Sequence, residues 1–143
     1  MLVLLFFLLF RLPVIHFDFG EEQYFLTEDE FTLKWIHSVE KEEWLEMYER
    51  DGDRLLLTET YFKTFGAGVP SDGEIISTED GFVHMRINRH LPEMNLTVSE
   101  NAQTTIETED KTIPLYELTD DYEFVAISIQ RIHIWQYIGG KKL

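Results

Sequence analysis

Asp51-Gly52 sits between two runs that alternate apolar and polar residues, and no other feature constrains the chain as much. Such a dipeptide reads as the loop of a β-hairpin, because glycine supplies the positive φ that tight hairpin turns require. The run before it, KEEWLEMYER, also has helical character: Glu, Leu and Met favour helix, and Trp44, Leu45 and Tyr48 could form one stripe. The turn favours the strand reading. A hairpin of residues 43–50 with 53–63 opposes Tyr48 to Leu55, Met47 to Leu56 and Glu46 to Leu57, so both faces find apolar partners.

The rest of the chain repeats this grammar. Phe31, Leu33, Trp35, His37 and Val39 alternate with Thr32, Lys34, Ile36, Ser38 and Glu40, the period of a half-buried strand. A first strand begins near His16, and Tyr24–Leu26 is a short second one. Further strands are expected over 82–88, 95–99, 104–108, 112–116, 123–129 and 132–138. Turn signals separate them at Ser71-Asp72-Gly73, Glu79-Asp80-Gly81, Glu109-Asp110 and Asp120-Asp121. No long amphipathic helix interrupts the series. The expectation is an all-β fold, a compact antiparallel sandwich or barrel of about 8–10 short strands. At 143 residues it suits one domain.

The chain starts with an unbroken apolar decamer, MLVLLFFLLF, followed by Arg11 and then LPVIHF. Residues 1–17 are read as a hydrophobic anchor or signal-like segment, and 18–143 as an acidic β domain. As an anchor, the segment would let Arg11 snorkel, with Leu12-Pro13 marking its end or a kink. A cleaved signal and a buried piece of the fold are the other readings. Ten residues are fewer than the roughly 20 of a spanning helix, and no basic n-region precedes them. Orientation hangs on Arg11, the one flanking basic residue.

The net charge of −15 makes the body repel nucleic acid and anionic lipid, and the scattered Lys and Arg offer no nucleic-acid surface. The absence of cysteine excludes disulfides, thiol catalysis and thiolate metal sites. The five histidines show no ligand spacing and the aspartates no calcium loop, so no cofactor or metal is expected.

Candidate functional residues concentrate in 31–70. His37 shares its expected face with Trp35 and Leu33, as a histidine at a core edge does. Ser38 and Glu40 fall on the other face, so His37 and Ser38 cannot form a nucleophile–base pair. Glu46 lies between Trp44 and Tyr48, and a carboxylate among aromatics is either paired or has a raised pKa. Glu59 would share that face and oppose Trp44, two carboxylates in a loose acid/base arrangement. Phe65-Gly66-Ala67-Gly68-Val69-Pro70 lacks the Lys-Ser/Thr of a phosphate loop. It reads as a tight structural turn or as a backbone nest for an anion.

Taken together, His37-Ser38-Val39-Glu40, Trp44 with Glu46 and Tyr48, the leucines at 55–57, and Phe65-Gly66-Ala67-Gly68-Val69-Pro70 resemble the bacterial DUF1850 family. The resemblance covers most of residues 14–130, with its specific part at 31–70. Positions matching the family pattern are His37, Ser38, Glu40, Glu46, Phe65, Gly66, Gly68 and Pro70. The family is uncharacterised and typically follows a hydrophobic N-terminal segment. Its genes often neighbour those of TRAP-type transporters of the TAXI class, which import organic acids with an extracytoplasmic binding protein. The resemblance therefore implies a non-catalytic accessory of solute uptake, tethered to the cell membrane through residues 1–17, with the β domain extracytoplasmic. Its partner would be a transporter subunit or the solute-binding protein. A small-ligand or cation-binding β module, with His37, Glu46 and loop 65–70 converging on a pocket, is the second reading. A hydrolase with Glu46 or His37 as general base is the third.

Overall fold

The Asp51-Gly52 hairpin forms, shifted by two residues from its expected register. The computed structural model describes residues 9–143, and in it strands β4 (Glu43–Asp51) and β5 (Arg54–Phe62) pair Tyr48 with Leu57. The turn is centred on Gly52-Asp53. Gly52 has φ 65° and Asp53 is not among the positive-φ residues, the pattern of a type II′ turn, which puts glycine first. An even shift preserves side-chain parity, so Trp44, Glu46 and Tyr48 keep their common face.

Parity breaks elsewhere. The β4–β5 register slips between Met47 and Tyr48, leaving Thr58 as an extra residue on β5. Leu55 and Leu57 point into the core before this bulge, and Thr60 and Phe62 after it. Glu59 is thereby turned to the outer face, away from Glu46, which opposes Thr60. The expected pair of carboxylates on one face does not exist, because a single inserted residue inverts everything beyond it.

The other strands are β1 (Arg11–Asp18), β2 (Gln23–Leu26), β3 (Glu30–Ile36), β6 (Glu74–Ser77), β7 (Val83–Leu91) and β8 (Glu93–Thr97). Then come β9 (Thr105–Glu107), β10 (Thr112–Pro114), β11 (Phe124–His133) and the two-residue β12 (Lys141–Lys142). They form two open sheets, in the orders β12-β2-β1-β11-β8 and β10-β9-β3-β4-β5-β7-β6. Of the two expected architectures, the sandwich is the one observed. Pairing is antiparallel except for β12 on β2. One core fills the space between the sheets: Ile15, Phe17, Val125 and Ile127 come from the first, and Phe31, Leu33, Trp44, Tyr48, Leu57 and Phe62 from the second.

Both ends of the chain depart from expectation. Residues 1–8 of the apolar segment lie outside the described residues. Residues 11–17, counted with that segment, form most of β1, which pairs along its whole length with β11. Val14, Ile15, His16 and Phe17 are all buried. A strand buried on both faces is apolar at every position, and so looks like an anchor in sequence. Pro13 neither ends nor kinks the segment. It lies where β1 has only β11 beside it, since β2 begins its pairing at Ile15. At the other end, the strand expected over 132–138 is the close of β11 followed by helix α1 (Ile134–Gly139). Among the described residues no helix is long and apolar enough to cross a membrane.

Candidate functional site

Two loops at one end of the seven-stranded sheet bring most of the singled-out residues together. β3 stops at Ile36 instead of continuing to Val39, because the chain turns back on itself: the His37 N–H donates to the Glu42 carbonyl (2.8 Å) and the Lys41 N–H to the His37 carbonyl (2.9 Å). Lys41 takes a left-handed φ of 57°. This turn lifts Glu40 beside its neighbour's ring, so His37 Nδ1 meets Glu40 Oε2. A continuous strand would have set the two on opposite faces.

Trp44 anchors the arrangement. His37 stacks on it at 5.3 Å, Trp35 at 5.6 Å, and Phe62 packs at 5.1 Å. The indole N–H donates to Thr60 Oγ1 (2.7 Å), whose hydroxyl donates to the Leu45 carbonyl (3.0 Å), so the buried polar pair is satisfied. Phe65 stands edge-on to Phe62 at 5.2 Å.

The second loop is clasped to the first. Thr64 Oγ1 donates to Glu42 Oε2 (2.7 Å). The Glu40 carboxylate lies directly against Gly66, where any Cβ would overlap it. The Val69 N–H reaches back to the Gly66 carbonyl (3.4 Å) with Gly68 at φ +86°, the signature of a type II turn with glycine in its third position. Each glycine of the Gly-Ala-Gly element thus has its own reason: the first admits a carboxylate, the second a turn. The cleft between the loops, lined by His37, Glu40, Glu42, Trp44, Phe62 and Thr64 among others, holds about 10 Å³, room for about one water. The clasp exposes two apolar side chains, Val39 at 69% and Phe65 at 64%, with Lys41 and Thr64 exposed beside them. Ser38 is exposed on the same turn, and Pro70 follows at the margin of the second loop.

Glu46 does not face this cleft. It lies on the inner face of β4, where the Tyr48 hydroxyl donates to its carboxylate (2.5 Å). Burial pushes its carboxyl up, opposed by the Tyr48 hydrogen bond and by Arg89. Burial, reinforced by Glu46, pushes the Tyr48 phenol up as well. Asp72 pairs with Arg89 and pushes that guanidinium's pKa higher. Of the three parts expected to converge on one pocket, His37 lines this cleft, whereas Glu46 and residues 65–70 do not, so the expected convergence is not formed.

Glu46 yields a pH prediction. Unfolded, it titrates near its ordinary 4.5; folded, higher. Between the two values the folded chain holds a proton that the unfolded chain releases, so stability falls as pH rises through this window. Glu46→Gln cannot ionise and still accepts from Tyr48. Urea melts should show the variant gaining on the parent from pH 4.5 to pH 8; a gap that is constant with pH would refute the assignment.

The outer face holds a pairing absent from the sequence reading. His84 Nε2 lies 2.7 Å from Glu59 Oε2, and its ring stacks on Tyr61 at 4.1 Å. The residues are 25 apart, and the double slip in the β4–β5 and β5–β7 registers brings them together, so no local signal marks them. Among the described residues no group of three or more His, Asp or Glu side chains is arranged to hold a metal ion.

Residues 31–115 match the family described as Domain of unknown function (DUF1850). The chain belongs to this family. No curated protein and no solved structure matches it. The DUF1850 match is narrower than the 14–130 of the sequence resemblance, and its limits carry structural meaning. It contains all seven strands of the larger sheet, β3 to β7 with β9 and β10, together with β8 and both clasped loops. β1, β2, β11, α1 and β12 lie outside it.

Proposed function

We propose that this DUF1850 chain is a non-catalytic, membrane-tethered extracytoplasmic accessory protein of TRAP/TAXI-type solute uptake, and that the clasped tip of loops 37–42 and 64–70 is its contact surface for a transporter subunit or solute-binding protein. One observation carries the reading. The family-pattern residues His37, Glu40, Gly66 and Gly68 are spent on locking two loops together, and the locked tip exposes Val39 and Phe65. A preorganised apolar tip suits protein contact, since an exposed aromatic on a fixed backbone loses little entropy on docking. The apolar start of the chain supports the tether, and the family resemblance supports the transporter link.

Phe65→Asp should leave the fold intact, because the ring is mostly in solvent, and should abolish capture of a transporter component from detergent-solubilised native membranes. Phe124→Asp, equally exposed on the other sheet, should retain capture. Equal recovery by the parent and both variants, identified by mass spectrometry, would remove the tip from the contact surface. A folded, solubilised parent that recovers no transporter component would remove the stable complex itself.

A further inference from the structure

The acidic net charge conceals a sharp segregation. All 27 Asp and Glu residues lie between Asp18 and Glu123, along with eight of the 12 Lys and Arg. Residues 1–17 and 124–143 carry the other four basic side chains, Arg11, Arg131, Lys141 and Lys142, and no acidic one. The two segments are far apart in sequence, yet the fold sets residues 11–17 of the first beside 127–133 of the second. β1 pairs with β11 from Arg11↔His133 to Asp18↔Ala126, α1 follows directly from β11, and β12 joins the same sheet through β2.

Within this acid-free region α1 is apolar on two sides. Ile134 and Tyr137, one turn apart, are half-buried, whereas Trp135 and Ile138, also one turn apart, face solvent with 45% and 69% of their surface exposed. Lys142 lies over the Tyr137 ring (4.4 Å), and Lys141 pairs with Glu22 (2.6 Å). Leu9, 70% exposed, leads from the apolar decamer into β1 at the Arg11↔His133 end, where α1 also begins. The structure therefore gathers an exposed Trp and Ile, a flanking Tyr, a set of basic side chains and the point where the apolar segment enters. Trp and Tyr favour the headgroup layer, Lys and Arg favour anionic headgroups, and short apolar faces insert shallowly.

We propose that α1 and the adjoining ends of β1 and β11 form a docking face for an anionic lipid bilayer, with Trp135 and Ile138 in the headgroup layer and Arg11, Arg131 and Lys142 against lipid phosphates. The inference rests on the membrane-tethered reading above and adds an orientation to it. The 27 carboxylates lie in the remainder of the chain, with Glu22 at Lys141 the near exception, and their repulsion from the same lipids turns the α1 end of these segments toward the membrane and the acidic body away.

A chain without cysteine allows a single label site. Full-length protein carrying Ile138→Cys, or Asp80→Cys in the β6–β7 turn, is labelled with an environment-sensitive fluorophore. It is then reconstituted with phosphatidylcholine vesicles, with and without phosphatidylglycerol, containing nitroxide lipid. The label at 138 should be quenched several-fold more than the label at 80, and more strongly with phosphatidylglycerol. Arg131→Glu with Lys142→Glu should remove the phosphatidylglycerol dependence. Chain that floats with vesicles while both labels stay unquenched overturns the docking face and leaves the tether standing. Equal quenching at 138 on both vesicle types overturns the anionic-lipid assignment. Chain that floats with neither overturns the tether, and the docking face with it.

Discussion

Trp44→Ala should cost about 3–5 kcal/mol, the range for deleting a buried aromatic. The indole is almost wholly buried and contacts three other rings, His37, Trp35 and Phe62. Its removal therefore opens a cavity at the root of both clasped loops. Trp44→Phe separates the contributions. It keeps a ring in the stack but loses the N–H bond to Thr60, whose hydroxyl still donates to Leu45, and part of the indole's volume; about 1–2 kcal/mol is expected. Equilibrium urea unfolding of the two variants decides the matter. A Trp44→Ala loss as small as that of Trp44→Phe would show that the stack closes around the gap and that the loops do not depend on it.

Gly66→Ala should cost about 1 kcal/mol, the low end of the range for an added methyl, because the site is exposed and the methyl meets the end of one flexible side chain. The added Cβ collides with the Glu40 carboxylate, which is itself held against His37. Either Glu40 leaves the imidazole or the second loop lifts from the first. Gly66→Ala combined with Glu40→Ala separates steric from backbone effects: if the collision is the cause, the double variant should lose no more than Glu40→Ala alone. Two additive losses in unfolding free energy would instead place the defect in the backbone of the turn. On the proposed contact surface, partner capture is expected to fall with stability in the single variant, because the same contacts clasp the two loops.

The period-two runs were legible because four strands of the larger sheet, β3, β4, β5 and β7, each have one apolar face: Phe31 and Leu33, Trp44 and Tyr48, Leu55 and Leu57, and Val83, Met85 and Ile87 all point inward, whereas β6, with Ile75 and Ile76 exposed, gave no such signal. Periodicity cannot show where the period skips. Thr58 is chemically unremarkable, yet its insertion sends Glu59 to His84 rather than to Glu46. The candidate site was legible as a neighbourhood and not as a geometry. His37, Glu40 and Gly66 were all singled out, but the reading that ran a strand through Val39 placed His37 and Glu40 on opposite faces, so their meeting was not foreseen. The turn that unites them is held by backbone hydrogen bonds between His37 and residues Lys41 and Glu42, which leave no side-chain signature. The start of β1 was hidden for another reason: Val14 to Phe17 is buried on both sides, and apolar continuity alone does not distinguish a two-sided strand from a lipid-facing one.

The pairing of β1 with β11 also bears on the order of assembly. The larger sheet is mostly a meander, β3 to β4 to β5, whose neighbours meet as soon as they are synthesised. The smaller sheet is not. Its central contact joins Arg11 to His133, so the first strand made must wait for almost the last before it gains its main partner. Long-range closure of this kind is slow, because the intervening chain loses its freedom before the contact repays it. During that interval Val14, Ile15 and Phe17 stand uncovered beside the apolar decamer. The strand that will be interior in the finished protein is thus, while the chain is being made, a continuation of its most hydrophobic stretch.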